Sequence, residues 1–183
     1  VITKQSGFSV SLFDNVAPVF TMTIFEMGNM NLSDSSIEGN EEVLDMYFYE
    51  KAKEKGKKII GIETVGEQLG ALNSLTYQEQ ADLLVKEIHS EQENKTEGTD
   101  DMKYYLQQNL DSLSASDLEG KMPEKFYKAL VNDRNVRMAN RIADFIKEQS
   151  TFIAIGALHL PGQAGVIELL RKNGFKVEPV IQK

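Results

Sequence analysis

The sequence predicts an α/β domain with a mostly parallel central sheet, flanking helices and a helical insertion. Three observations predict it. The first is the stretch from Thr151 to Val180. Phe152 to Ile155 run apolar without a break into Gly156-Ala157-Leu158-His159-Leu160-Pro161-Gly162, as a buried strand closed by a glycine-bounded loop does. Val166, Ile167, Leu169 and Leu170 then keep helical spacing as far as Asn173-Gly174, and Phe175, Val177 and Val180 read as a second strand. Strand, helix and strand in so short a span is a βαβ unit with a right-handed crossover. The second observation is Lys58-Ile59-Ile60-Gly61-Ile62, another short apolar run lying between two helical patterns. The third is the length, 183 residues. It suits one domain that buries roughly 70% of its unfolded surface. In such a sheet Glu63 and His159 each fall just past the carboxyl end of a strand, the rim where open α/β sheets bind ligands.

Taken in order, the chain begins with its least readable part. Phe8, Val10 and Leu12 alternate as a short strand does, while Val19 to Phe25 suits either a strand or a buried helix. Met27 to Asn40 is rich in Gly, Asn and Ser and reads as a loop. Asn40 is an N-cap candidate for a helix whose apolar face is Val43, Leu44, Phe48 and Ala52; Lys51, Lys53 and Lys55 crowd its last turn before Gly56. After the Lys58–Ile62 run, Thr64-Val65-Gly66-Glu67 fits a capping box, as does Thr76-Tyr77-Gln78-Glu79. The second box opens a helix with Leu83, Leu84 and Ile88 on one side. The polar stretch Glu91 to Asp101 reads as an exposed loop, and Met102 to Leu113 as a helix again. Residues 76–122 therefore form the helical insertion within a single domain spanning 1–183. Pro123 suits the first turn of a long helix reaching about Gln149.

That helix carries the most informative irregularity. Leu130, Val131, Met138, Ile142, Phe145 and Ile146 form its apolar stripe, and Arg134 and Asn135 interrupt it at spacings of four. An arginine on a buried face must be paired, because an uncompensated buried charge costs several kcal/mol. Glu63 is the candidate partner. His89, between Ile88 and Ser90 on a polar helix, reads as solvated.

Composition narrows the function classes. With 28 acidic residues against 20 basic ones the net charge is -8, which disfavours a nucleic-acid backbone or an anionic membrane as partner. The absence of cysteine excludes disulfides, thiolate nucleophiles and Cys-ligated zinc. No apolar run approaches the roughly 18 residues needed to span a bilayer.

A GxxH such as Gly156 to His159 carries little weight alone. In combination the chain resembles the TraB/GumN family, which includes the Tiki proteins and is more distantly related to the erythromycin-esterase and ChaN-like folds. The residues that carry the resemblance are Gly61-Ile62-Glu63-Thr64 with Glu67-Gln68, Asp133-Arg134-Asn135 with Met138-Ala139, and Ile155 to Gly162 with Gly165-Val166 and Gly174 to Val177. They cover about residues 38 to 180, and the last fifty are the most specific. The resemblance implies a metal-dependent hydrolase, plausibly a peptidase, from an extracytoplasmic bacterial protein. It implies Glu63, Arg134 and His159 as catalytic residues, and Asn135, Gly156 and Gln68 as substrate-binding or supporting ones. It further implies His159 and Glu63 as ligands of a divalent ion (Mn, Co or Zn), with a peptide or small molecule as substrate. The family's first GxxH lies upstream of these motifs, and no histidine precedes His89. Either the chain is shortened at its N-terminus, which is the expectation, or this member has lost the motif; in both cases no metal is expected to be tightly held by its own residues. The rival readings are a non-catalytic binding domain with a structural Glu-Arg-His network, and metal-independent esterase chemistry using His159 with Glu63.

Overall fold

The computed structural model describes residues 13–29, 44–93, 99–113 and 122–180, which divide into two compact units: residues 1–43 with 75–97, and residues 44–74 with 98–183. The predicted strand at Phe8–Leu12 and the Asn40 cap lie outside the described residues.

In the first unit, α1 (Pro18–Asn29) packs against α4 (Tyr77–Glu93). The segment that suited strand or helix is thus a helix, with proline in its first turn. Its free N-terminal donors find a partner in Gln80 of α4. That buried carboxamide accepts from the Val19 N–H at 3.3 Å and donates to the Leu75 carbonyl at 3.0 Å. The Thr76–Glu79 capping box forms at the start of α4, with the Glu79 carboxylate accepting from the Thr76 N–H at 2.7 Å. His89 is exposed on this helix, as expected.

The second unit contains α2 (Leu44–Glu54), α3 (Val65–Leu72), α5 (Thr99–Leu106), a long rod, and α8 (Val166–Lys172). The rod consists of α6 (Glu124–Tyr127), a π-helical turn (Lys128–Asn132) and α7 (Asp133–Glu148), and it matches the long helix expected from Pro123. Its stripe residues Met138, Ala139 and Ile142 form a core with Val166 of α8, flanked by Ile62, Ile146, Ile153, Ile155, Leu169 and Leu170. The helix expected from Met102 to Leu113 ends early, at Leu106, and Gln108 follows in the left-handed region at φ +55°.

The predicted parallel sheet is not present: the described residues contain no β-strand, and the fold is helical. The helix between the two supposed strands does form and ends at Gly174, φ +88°. The segments Lys58–Ile62, Phe152–Ile155 and Phe175–Val180 are irregular, without a ladder. Apolar alternation reports which side of an extended chain is buried; a strand additionally needs a neighbour for its N–H and C=O groups. Nor is the Phe152–Ile155 run buried throughout as expected: Ile153, Ile155 and Ala157 are half-buried and Phe152, Ala154 and Gly156 are exposed. Side chains take some of the carbonyls that a ladder would otherwise occupy. Arg141 donates to Ile62 O at 2.7 Å, and Arg171 donates to Val177 O at 3.0 Å. The site is therefore built on the long rod and two flanking loops, with no sheet rim involved.

Candidate functional site

Arg134, Arg137 and Arg141 lie at i, i+3 and i+7 on α7 and so share one face. Opposite them, the extended segment after Gly61 delivers Glu63, and the capping box that starts α3 fixes Glu67 four residues on. Thr64 and Glu67 satisfy each other's backbone N–H groups, at 2.8 Å for Thr64 N to Glu67 Oε2 and 3.2 Å for Glu67 N to Thr64 Oγ1.

Glu63 is the partner that Arg134 requires. The guanidinium donates from Nε to both carboxylate oxygens, at 3.0 and 3.1 Å, and from Nη2 at 2.7 Å; the two side chains are only 5% and 16% exposed. Arg134 Nη1 donates to Leu130 O at 3.1 Å. That carbonyl belongs to the π turn, where the wider ring relaxes the usual four-residue pairing and leaves oxygens for a side chain. Burial alone would raise the Glu63 pKa. The hydrogen bonds and charge of Arg134, a hydrogen bond from Gln68 and the nearby His159 together hold it below the ordinary carboxylate value. Glu67 forms the parallel pair with Arg141, at 2.6 and 2.9 Å. The Arg141 hydrogen bond and then the Thr64 N–H bring its pKa down to about 2.

Asn135, the next residue on α7, is 1% exposed. Its Nδ2 donates to Ala164 O at 2.9 Å, which turns Oδ1 toward His159 Nδ1 at 2.7 Å. An amide oxygen can only accept, so Nδ1 carries the proton and Nε2 keeps its lone pair. Burial first, and then the Arg134 charge, lower the His159 pKa against the opposing pull of Glu63, so the imidazole is neutral at pH 7. Gly156 caps the 3-10 turn Ala157–His159 and accepts from the His159 N–H at 3.0 Å; a Cβ there would only touch His159 Cδ2 at an ordinary 3.7 Å. Gly156 supports His159 through its backbone.

The structure therefore brings Glu63, Gln68, Arg134, Asn135, Gly156 and His159 into one neighbourhood on the second unit. Sequence reasoning missed Arg137 and Arg141, although the arginine spacing of three and four on one helix was readable as a basic stripe awaiting carboxylates. A cleft of about 290 Å³ opens beside this network, lined by Glu67, Gly70, Ala71, Ala129, Asp133 and Arg137; none of Glu63, Arg134 and His159 lines it.

Among the described residues no three His, Asp or Glu side chains converge, and both oxygens of Glu63 are engaged by Arg134. A catalytic zinc-type centre takes three protein ligands. At this site the described residues offer one imidazole nitrogen, so alone they do not fit such an ion.

The protonation of this network makes stability depend on pH. The native state resists protonating His159, whereas an unfolded chain takes that proton near 6.5. Stability should therefore fall as pH drops below about 6.5, and fall again below about 4.5, where the unfolded carboxyls of Glu63 and Glu67 take up protons and the folded ones do not. Urea midpoints measured from pH 8 to pH 3 should show both stages. His159→Gln should remove the first and keep the second; a flat profile between pH 7 and pH 5 in the unmutated chain would contradict the assignment of a neutral, buried imidazole.

No helix among the described residues is long and apolar enough to cross a membrane. No solved structure matches the chain. It is 25% identical over 198 residues to the metalloprotease TIKI homolog of Nematostella vectensis, an alignment covering 92% of this chain and 41% of that protein. It is 26% identical to metalloprotease TIKI1 of Danio rerio and 30% identical to metalloprotease TIKI2 of Xenopus tropicalis. Each of these two alignments covers 74% of this chain, and 33% and 32% of the respective relative. The chain thus spans about a third to two fifths of the length of these relatives. The model of the TraB/PrgY/gumN family matches residues 1–179, nearly the whole sequence, and the chain belongs to that family.

Proposed function

We propose that this chain supplies part of a hydrolytic site of the peptidase type, with His159 acting through Nε2 beside the Glu63–Arg134 pair. The observation that supports it best is the Asn135–His159 hydrogen bond, which leaves a neutral imidazole with one free nitrogen next to a held guanidinium. A neutral Nε2 can take a proton from an attacking water or contribute one ligand to an ion. Arg134 sets positive charge where an oxyanion would develop, and Glu63 fixes its orientation. The names of the relatives point to metal dependence, and so do the divalent ions that the family resemblance suggests. The ligands needed beyond His159 are not among the described residues, so no step is assigned to a metal. An extracytoplasmic location belongs to the same proposal.

One observation favours the rival, a non-catalytic binding domain: Glu63 commits both oxygens to Arg134, as a structural carboxylate does. Peptide hydrolysis by the full-length protein separates the two. Under the hydrolase reading, His159→Ala lowers kcat/KM by about 100-fold or more, while His159→Gln, which can still donate to Asn135, should lose activity alike with a smaller loss of stability. Chelator should abolish turnover if a metal is required, and activity that survives chelator but not His159→Ala would assign the imidazole as a metal-free base. Equal activity in the variant and the parent protein would refute the proposed role of His159.

A further inference from the structure

The network around α7 contains more positive charge than its carboxylates consume. Glu63 is bonded by Arg134, Glu67 by Arg141, and Asp133 by Lys128 at 2.7 Å. Arg137 lies between the two glutamates, yet its nearest approaches are 3.9 Å to Glu63 Oε1 and 3.9 Å to Glu67 Oε1, too long for hydrogen bonds. Its Nε–H is buried without a hydrogen-bond partner. Three carboxylates thus face four cations, and the excess charge is the guanidinium that lines the cleft.

The remaining walls suit a small ligand. Gly70, Ala71 and Ala129 are the smallest side chains available, and a Cβ built on Gly70 would meet nothing within 4 Å. The cleft volume of about 290 Å³ lies near the lower end for small-molecule sites. A guanidinium that breaks no hydrogen bond on engaging a ligand, with a fork of parallel N–H groups, favours a planar monoanion held by two donors.

We propose that the cleft between α3 and the α6–α7 rod is a carboxylate-binding site, with Arg137 as its anchor, suited to the free C-terminal carboxylate of a short peptide. The two acids that line it are each paired with another cation, Asp133 with Lys128 and Glu67 with Arg141, which lowers their repulsion of such a ligand. The inference goes beyond the hydrolytic reading and does not require it, because binding is read without turnover.

The test is a titration of the full chain at low ionic strength, following the Arg137 Nε–H resonance by NMR. The probes are N-acetyl-alanyl-alanine, its C-terminal amide, and inorganic phosphate. The expected result is a saturable shift with the free carboxylate and none with the amide. Followed instead by the Gly70 backbone amide resonance, Arg137→Gln should weaken binding about tenfold or more, since charge-assisted hydrogen bonds are the strong ones. Gly70→Leu fills the cleft from a helical position where leucine is the better helix former, so it should abolish the shift without lowering Tm. The proposal is overturned by no saturable shift, by equal binding of the amide, by binding of phosphate in preference to the carboxylate, or by an unchanged titration in Gly70→Leu. Absence of peptide hydrolysis by the full-length protein, with binding intact, would count against the hydrolase reading alone.

Discussion

Glu63→Ala should lower stability by about 3 kcal/mol, because it leaves Arg134 charged and largely out of water with its bidentate partner gone. For a chain of this length that corresponds to a fall in Tm on the order of 10 °C. The size follows from burial. At 5% and 16% exposure neither side chain can recover its lost interaction from water, and Arg137 at 3.9 Å loses the same neighbour. The Glu67–Arg141 pair is 26% and 37% exposed, so Arg141→Ala should cost clearly less. Combining Glu63→Met with Arg134→Met should recover most of the loss, since removing both charges removes the desolvation penalty along with the attraction. Urea denaturation of the single and double variants forms the cycle. A loss under about 1 kcal/mol for Glu63→Ala would mean that water reaches the guanidinium and that the pair does not hold the site together.

This pairing was legible in the sequence because a rule with a large energy behind it was broken. Arg134 and Asn135 sit where a helix otherwise shows Val131, Met138 and Ile142, and a cation on such a stripe, only 16% exposed, has few solutions. The helices were legible for similar reasons. Capping boxes at Thr64 and Thr76, proline at position 123 and glycines at 56 and 174 act locally, and φ values of +58° and +88° at the two glycines are the left-handed stops that glycine permits. The sheet was misread because an unbroken apolar run such as Phe152–Ile155 reports only that a segment is hydrophobic, whereas a ladder depends on another segment's backbone, which no local pattern contains. The choice of helix over strand at Val19–Phe25 was likewise settled from a distance, by Gln80 sixty-one residues away taking a free N–H. The cleft was invisible for a related reason: Gly70, Ala71 and Ala129 are unremarkable in sequence, and they form a wall only once α3 lies against the rod.

Gly165→Ala is the second substitution expected to act strongly, and it acts through shape alone. Gly165 caps α8 in an ordinary extended conformation, φ -73° and ψ 153°, so backbone strain is not at issue. A Cβ at this position would instead fall far inside contact distance of the carbonyl oxygens of Pro161 and Leu160. Those carbonyls are backbone in a closed loop. Gly165 N donates to Gly162 O at 3.0 Å, and Ala164 O holds the Asn135 amide at 2.9 Å. The loop cannot retreat without moving Leu160, and His159 is the next residue along. Overpacking of this kind costs about 1–3 kcal/mol and sometimes more. Gly156→Ala is the control, since its added methyl meets His159 Cδ2 at 3.7 Å and should cost little by contact. The two variants should therefore differ in Tm by several degrees. In Gly165→Ala the Asn135–His159 hydrogen bond should lengthen, visible as a changed His159 Nδ1–H signal and an imidazole that titrates closer to 6.5. Equal Tm values with an unaltered imidazole would show that the loop can yield at Pro161, and that the α8 cap does not fix the histidine.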